Sequence, residues 1–347
     1  MKKLSISKAF WVAGVSVLTV SALFASPAWT QNEVDGPKVE FPKQVPVPAD
    51  NPQTPDKIAL GKQLYFDGRL SKTGKISCNS CHDATKFGVD GKPRSPGHDG
   101  RLGGRNSPGV FNSAFSSVQF WDGRAPSLEA QAKGPMTNPI EMGMESHDAV
   151  VKVLSGIPGY VSQFEKVFGK GPITIDNVVK AIASYERTLV TPGSAYDRFV
   201  AGDAKALNDS AKRGWRLVQT VGCTSCHSGA MFSGPALPMG TGFYQKFPVI
   251  PGTEYDKKYK FSDDLGRFEV TKAEGDKHFF RVPSWRNVAD TGPYFHNGAV
   301  KTLDEAVRVM GKTQLNKDLA KNEVEDIVAF LKSLSGKYPN EKAPKLP

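Results

Sequence analysis

Apolar residues recur at helical spacing in several separate stretches of the chain. Ile58, Leu60, Leu64 and Tyr65 predict a short helix over 56–65. Residues 146–190 read as two amphipathic helices. In the second, 175–189, Val178, Val179, Ile182, Ala183 and Leu189 share one face, and Thr174 or Asp176 can cap its start. Trp215, Leu217 and Val218 predict a helix over 209–221. Val324, Ile327, Val328, Phe330, Leu331 and Leu334 predict a last one over 323–334. No β-rich pattern competes, so the class is all-α. Before the first helix, residues 32–56 carry Pro37, Pro42, Pro46, Pro48, Pro52 and Pro55, which predicts an extended arm.

Two of these helices deliver the chain to the same pentad. Cys78-Asn79-Ser80-Cys81-His82 follows the first, and Cys223-Thr224-Ser225-Cys226-His227 follows the helix at 209–221. Cys-x-x-Cys-His is the spacing of c-type haem attachment: two thiols reach the two vinyl groups of one porphyrin, and the adjacent His faces the iron. A disulfide or half a zinc site would leave the paired histidines unexplained. Two covalent haems therefore take all four cysteines, with His82 and His227 as proximal ligands. A helix followed by this pentad is how class I cytochrome c domains begin, and it occurs twice. The expected order is a signal peptide at 1–28, a first haem domain at 29–191, a second at 192–337, and a tail at 338–347 packing back on the first. Thr191-Pro192-Gly193 marks the boundary between the haem domains.

The 347 residues suffice for two such domains, and 34 Gly with 25 Pro imply long irregular loops. Lys2, Lys3 and Lys8 precede an apolar run from Ala9 to Ala25, with small residues at Ser26 and Ala28. This reads as an export signal cleaved after Ala28, or after Ala25. The run is short for a membrane span and is diluted by Ser16, Thr19 and Ser21. The mature protein is therefore expected to be periplasmic, with no membrane span. The net charge of +10 loses three lysines with the signal, and haem carboxylates subtract further. That balance, with no basic run interleaved with aromatics, argues against nucleic acid. A mildly basic surface could steer an acidic protein partner.

Sixteen residues after His82, His98 sits in the loop Arg94-Ser95-Pro96-Gly97-His98-Asp99-Gly100. It reads equally as an exposed loop histidine or as a ligand that can reach the first iron and leave it. Around it run Arg105-Asn106-Ser107-Pro108, Phe120-Trp121-Asp122-Gly123-Arg124-Ala125, Gln131, and the string from Gly134 to Gly143 containing Pro139-Ile140-Glu141-Met142. On these strings the chain resembles the bacterial dihaem cytochrome c peroxidases, from about Asp56 to Lys337.

The resemblance implies reduction of hydrogen peroxide to water with electrons from a small periplasmic donor, a cytochrome c or a cupredoxin. It makes His98 the removable sixth ligand of a peroxidatic first haem. Glu141 becomes the acid–base carboxyl, Gln131 its partner toward peroxide, and Trp121 a link between the haems. Alone, Glu141 would read as a helix-start carboxylate and Trp121 as a core aromatic. Apolar neighbours should raise the Glu141 pKa toward working pH.

For the second haem, Met231 and Met239 lie too near His227 in sequence to wrap a porphyrin easily. The family places its methionine at Met310, fourteen residues after His296, and Met/His ligation raises a haem potential relative to His/His. The resemblance also implies a homodimer and an inter-domain calcium held by the Asn106 side chain and the carbonyls of Thr291 and Pro293. Turn formation is the plainer reading of those three. Two other functions fit the pentads: a dihaem electron carrier without substrate chemistry, and the related dihaem oxidase that matures a protein-derived cofactor. That oxidase uses a tyrosine on its second haem and lacks a loop ligand like His98.

Overall fold

The structure is a computed structural model that describes residues 38–347; the expected signal peptide lies outside the described residues. Eight helices carry the architecture: α1 Pro55–Phe66, α2 Leu128–Thr137, α3 His147–Ser155, α4 Pro158–Phe168, α5 Ile175–Glu186, α6 Asp209–Thr220, α7 Leu303–Leu315 and α8 Lys321–Lys332. A small two-stranded antiparallel sheet pairs β1, Tyr244–Lys246, with β2, Phe279–Arg281. Short helical turns and long loops make up the rest. Where two helices were expected over 146–190 there are three. Gly156 ends α3, and Pro158, which cannot continue a helix, starts α4.

Side-chain caps set the starts. Thr54 accepts from the Lys57 amide ahead of α1, Ser127 from Ala130 ahead of α2, Thr174 from Asn177 ahead of α5, and Thr302 from Glu305 ahead of α7.

Helices α1 and α5 cross and bury Leu60, Leu64, Tyr65, Val178, Val179 and Ile182 between them. Helices α6 and α8 cross in the same way. There Trp215 and Phe330 meet at 5.1 Å between ring centroids, with Tyr196 and Phe232 edge-on to both. Each such large apolar side chain contributes about 1.5–3 kcal/mol on burial. Both crossings use a glycine: a Cβ on Gly61 would overlap the Ala181 carbonyl, and one on Gly214 would overlap that of Asp326.

The arm before α1 is extended and reaches α2, α5 and Tyr196, which packs on the aromatic cluster of α6 and α8. Phe41 packs on Phe115, the Val39 amide reaches the Tyr196 hydroxyl, and Asn51 donates to Glu129 and to the Lys180 carbonyl. At the other end, the Tyr338 ring lies on Phe87 and Phe111, Glu341 pairs with Lys62, and Arg69 donates to the Pro347 carbonyl. The tail thus runs over α1 and the loop beside it. No described helix is long and apolar enough to cross a membrane.

The glycine crossings give a direct prediction. Gly214→Ala should cost about 1–3 kcal/mol by overpacking α6 against α8. Thermal denaturation of the haem-loaded protein should show a melting temperature several degrees lower; an unchanged one would contradict so close a crossing.

Candidate haem cavity and peroxide site

One cavity of about 700 Å³ is lined by both pentads, Cys78, Cys81 and His82 on one side and Cys223, Cys226 and His227 on the other. None of the four cysteines is paired in a disulfide. His82 places Nδ1 2.8 Å from the Pro108 carbonyl, and His227 places Nδ1 2.9 Å from that of Phe232. A carbonyl can only accept, so each Nδ1 carries the proton and each Nε2 keeps its lone pair for a metal. Burial holds His82 below its usual pKa and pushes His227 down to about 4, so both rings are neutral. The His227 ring also stacks on Trp285 at 4.3 Å. Thiol pairs, neutral imidazoles with a free nitrogen and a cavity between them fit two c-type haems.

The walls of this cavity are built from a turn used twice. Asn112 and Asn287 sit at φ +64° and +63°, and Phe120 and Phe295 at +68° and +70°. Isolated bridges close both loops, Gln119 to Ala125 and Tyr294 to Val300. Asp122 caps the Arg124 amide as Asn297 caps that of Ala299. The Ser127 cap of α2 then corresponds to the Thr302 cap of α7. In this register Pro108 matches Pro283, whose backbone lies beside the His227 ring. Trp121 matches His296, and Met310 matches Pro135.

That last pair separates the two halves. Met310 lines the cavity and packs against the apolar cluster that contains Phe261 and Phe280, whereas Met231 is buried elsewhere and Met239 is exposed. Pro135, at the corresponding place in α2, also lines the cavity but offers no sulfur. Gln131 and Glu141 line it beside Pro135. Burial raises the Glu141 pKa, with Arg124 pulling the other way. Its Oε1 accepts from Asn138 Nδ2 at 3.0 Å.

His98 is close by but does not line the cavity. Its amide donates to the Glu141 carbonyl at 2.8 Å, and its Nε2 is 3.1 Å from the Pro139 carbonyl. The imidazole lies over Gly143, where φ is +69° and a Cβ would collide with the ring. Asn106, Thr291 and Pro293 all line the cavity. Asn106 turns Nδ2 toward the carbonyls of Lys92 and Pro93, and its own carbonyl accepts from the Trp121 indole at 2.8 Å. Trp121 lines the cavity too, and its carbonyl accepts from the Arg281 amide at 2.8 Å.

Reading by sequence missed three features of this site. Asn138 lies three residues before Glu141, a local spacing that could have suggested the hydrogen bond. Pro135 and His296 acquire meaning only through the repeated turn, whose two copies share few residues.

A family model described as di-haem cytochrome c peroxidase matches residues 55–205. The cytochrome c551 peroxidase of Nitrosomonas europaea is 45% identical over 302 residues, covering 87% of this chain and 86% of that one. That of Pseudomonas aeruginosa is also 45% identical, covering 88% and 86%.

The chain belongs to the di-haem cytochrome c peroxidase family.

It is accordingly an enzyme that reduces hydrogen peroxide with electrons from a cytochrome, and it carries two c-type haems. Among solved structures, a MauG-like protein associated with microbial copper homeostasis superposes with a TM-score of 0.74 over 86% of this chain and 95% of that one. Its 27% identity makes it a more distant relative than the two peroxidases, and the shared architecture is all-α.

The two parts of the site are clamped together by Arg105. It donates to both oxygens of Asp264 at 2.7 Å and to Asp122 at 2.6 Å. Hydrogen bonds from Arg105 outweigh burial and hold Asp264 below the usual carboxylate value. A depressed carboxylate stabilises the fold above its unfolded-state pKa, about 3.9, and that contribution is lost as pH falls through the folded value. Arg105→Met should therefore cost about 3–5 kcal/mol at neutral pH. Part of that difference should vanish in acid, as read by denaturation from pH 7 down to pH 3; a constant difference would contradict the clamp.

Proposed function

We propose that the protein works in the periplasm as a peroxidase with two unequal haem sites, residues 29–191 forming the peroxidatic domain and 192–337 the electron-accepting one. Cys78, Cys81 and His82 hold the first haem; Cys223, Cys226, His227 and Met310 hold the second. When bound, the haems supply the two electrons and the open iron position for the reaction H2O2 + 2 e− + 2 H+ → 2 H2O.

The observation that carries this reading is the pairing of Met310 with Pro135. Met310 lines the cavity in the second half and would offer its thioether to the second haem, whereas the matching Pro135 offers none and Gln131 and Glu141 line the cavity beside it. Glu141 is the proton carrier. As carboxylate it takes the proton from the near oxygen of peroxide, and as acid it returns it to the departing one. Its raised pKa makes the return easy, and Asn138 holds the carboxylate oxygen in place. Gln131 supplies a further hydrogen bond to peroxide.

His98 rests against Pro139 and Gly143, and movement of its loop would let it ligate the first iron and leave it again. In the position shown the His98 amide is bonded to the Glu141 carbonyl, so loop movement and the acid–base group are mechanically joined. Trp121, fixed through both its indole N–H and its carbonyl, stands between the sites as the link for electrons. The Asn106 side-chain oxygen and the carbonyls of Thr291 and Pro293 hold a calcium ion that stabilises this seam. The donor is a small cytochrome c or cupredoxin, and the enzyme acts as a homodimer.

The test is Glu141→Gln, which keeps size and hydrogen bonding but cannot cycle a proton. Turnover should fall by about 10²–10⁴ while both haem spectra persist. Undiminished turnover would remove Glu141 from the mechanism.

A further inference from the structure

The repeated turn sets His296 where the first half has Trp121, and the two rings meet edge to face at 6.4 Å. His296 is 2% exposed, caged by Phe280 stacked at 4.5 Å and by Phe247 and Phe261, yet it lines the haem cavity. Its Nε2 is buried with no hydrogen-bond partner. An imidazole nitrogen left so in an aromatic cage costs about 1–3 kcal/mol unless something completes it.

Next to Phe280, Arg281 lines the same cavity. It replaces Asn106 of the first half in the repeat. Its guanidinium reaches only the Phe120 carbonyl at 3.2 Å and the Ser116 hydroxyl at 3.4 Å, and no carboxylate of the described residues pairs with it. Other buried arginines here are matched: Arg105 with Asp122 and Asp264, Arg187 with Glu129, Arg286 with Asp197. Burial pushes the Arg281 pKa down to about 10, so it remains a cation in need of an anion. The c-type haem brings its own carboxylates.

We propose that His296 Nε2 and the Arg281 guanidinium donate to propionate carboxylates of the haem attached at Cys223 and Cys226, beside Trp121. Both residues belong to the Met310 side of the cavity, since Phe280 and Met310 share one apolar cluster. They are positioning residues, acting on the haem through its carboxylates. A propionate whose charge is offset disfavours reduction of the iron less, so both residues raise the potential of the haem that accepts electrons first. The second half thereby gains a potential-setting pair where the first half has an indole and an amide.

The inference rests on the second haem site proposed above, and the two can fail separately. Midpoint potentials of both haems are measured by spectroelectrochemical titration of the holoprotein and of His296→Phe, His296→Gln, Arg281→Gln and Arg281→Lys. His296→Phe and Arg281→Gln should lower the second-haem potential and leave the first unchanged. His296→Gln, which keeps a donor, and Arg281→Lys, which keeps the charge, should recover most of the loss. Failure of Arg281→Gln to load haem leaves the decision to Arg281→Lys and the His296 pair. An unchanged second-haem potential in His296→Phe and in whichever Arg281 variants load overturns the proposal, as does an equal shift in His296→Phe and His296→Gln. Absence of the methionine–iron absorption band from the unmodified protein would instead refute Met310 as ligand, whatever the variants do.

Discussion

A hydrogen bond from a buried imidazole to a backbone carbonyl underlies everything else in this molecule. His82 gives its Nδ1 proton to Pro108, and His227 gives its own to Phe232, with Pro283 alongside. Each bond fixes the tautomer and leaves the remaining nitrogen free, and the bond to Pro108 ties the first pentad to the residues that lead into the repeated turn. The turn then carries the chain past Trp121 or His296 to the cap of α2 or α7. The pentad histidine, Trp121 or His296, and the start of α2 or α7 are thus set by one frame in each half. The helix crossings at Gly61 and Gly214 supply the rigid backing.

One frame used twice would give two equal sites; the inequality comes from a few substitutions within it. Pro135 in place of Met310 takes the sulfur away and puts a helix-distorting residue beside the loop that carries Glu141. That loop brings Asn138 to the carboxylate and the His98 amide to the Glu141 carbonyl. On the other side, His296 and Arg281 stand where Trp121 and Asn106 would be. Each change touches the haem cavity, and none disturbs the crossings or caps that hold the frame. Stability and function are therefore carried by different residues of the same repeat, as expected when sites are grafted on a fold.

Much of this was legible in the chain itself. The pentads announced the haems because no other chemistry needs Cys-x-x-Cys-His twice, and the helices at 56–65, 175–189 and 209–221 followed from apolar spacing with boundaries off by a residue or a few. The split of 146–190 into three helices was missed because apolar periodicity runs on through Ile157-Pro158 while the backbone cannot. The candidate site was readable as a set of strings but not as a geometry. Nothing in sequence says that His98 rests on Gly143, or that Asn138 bonds Glu141. The repeat from Asn112 to Ser127 and from Asn287 to Thr302 is written in φ values and carbonyl positions, and only an Asn, an Ala, a Phe and a Gly recur at matching places. Without that register Pro135 is one more proline and His296 one more histidine.

On the proposed function, the two iron sites differ in their sixth partner, a fixed sulfur at Met310 against an exchangeable imidazole at His98. The decisive measurement is low-temperature EPR of the holoprotein after addition of one electron, with and without peroxide. The His/Met signal should disappear on reduction while the other iron changes ligation and then responds to peroxide. Loss of the His82-site signal first, or a half-reduced protein whose remaining iron keeps its ligands and ignores peroxide, would contradict it.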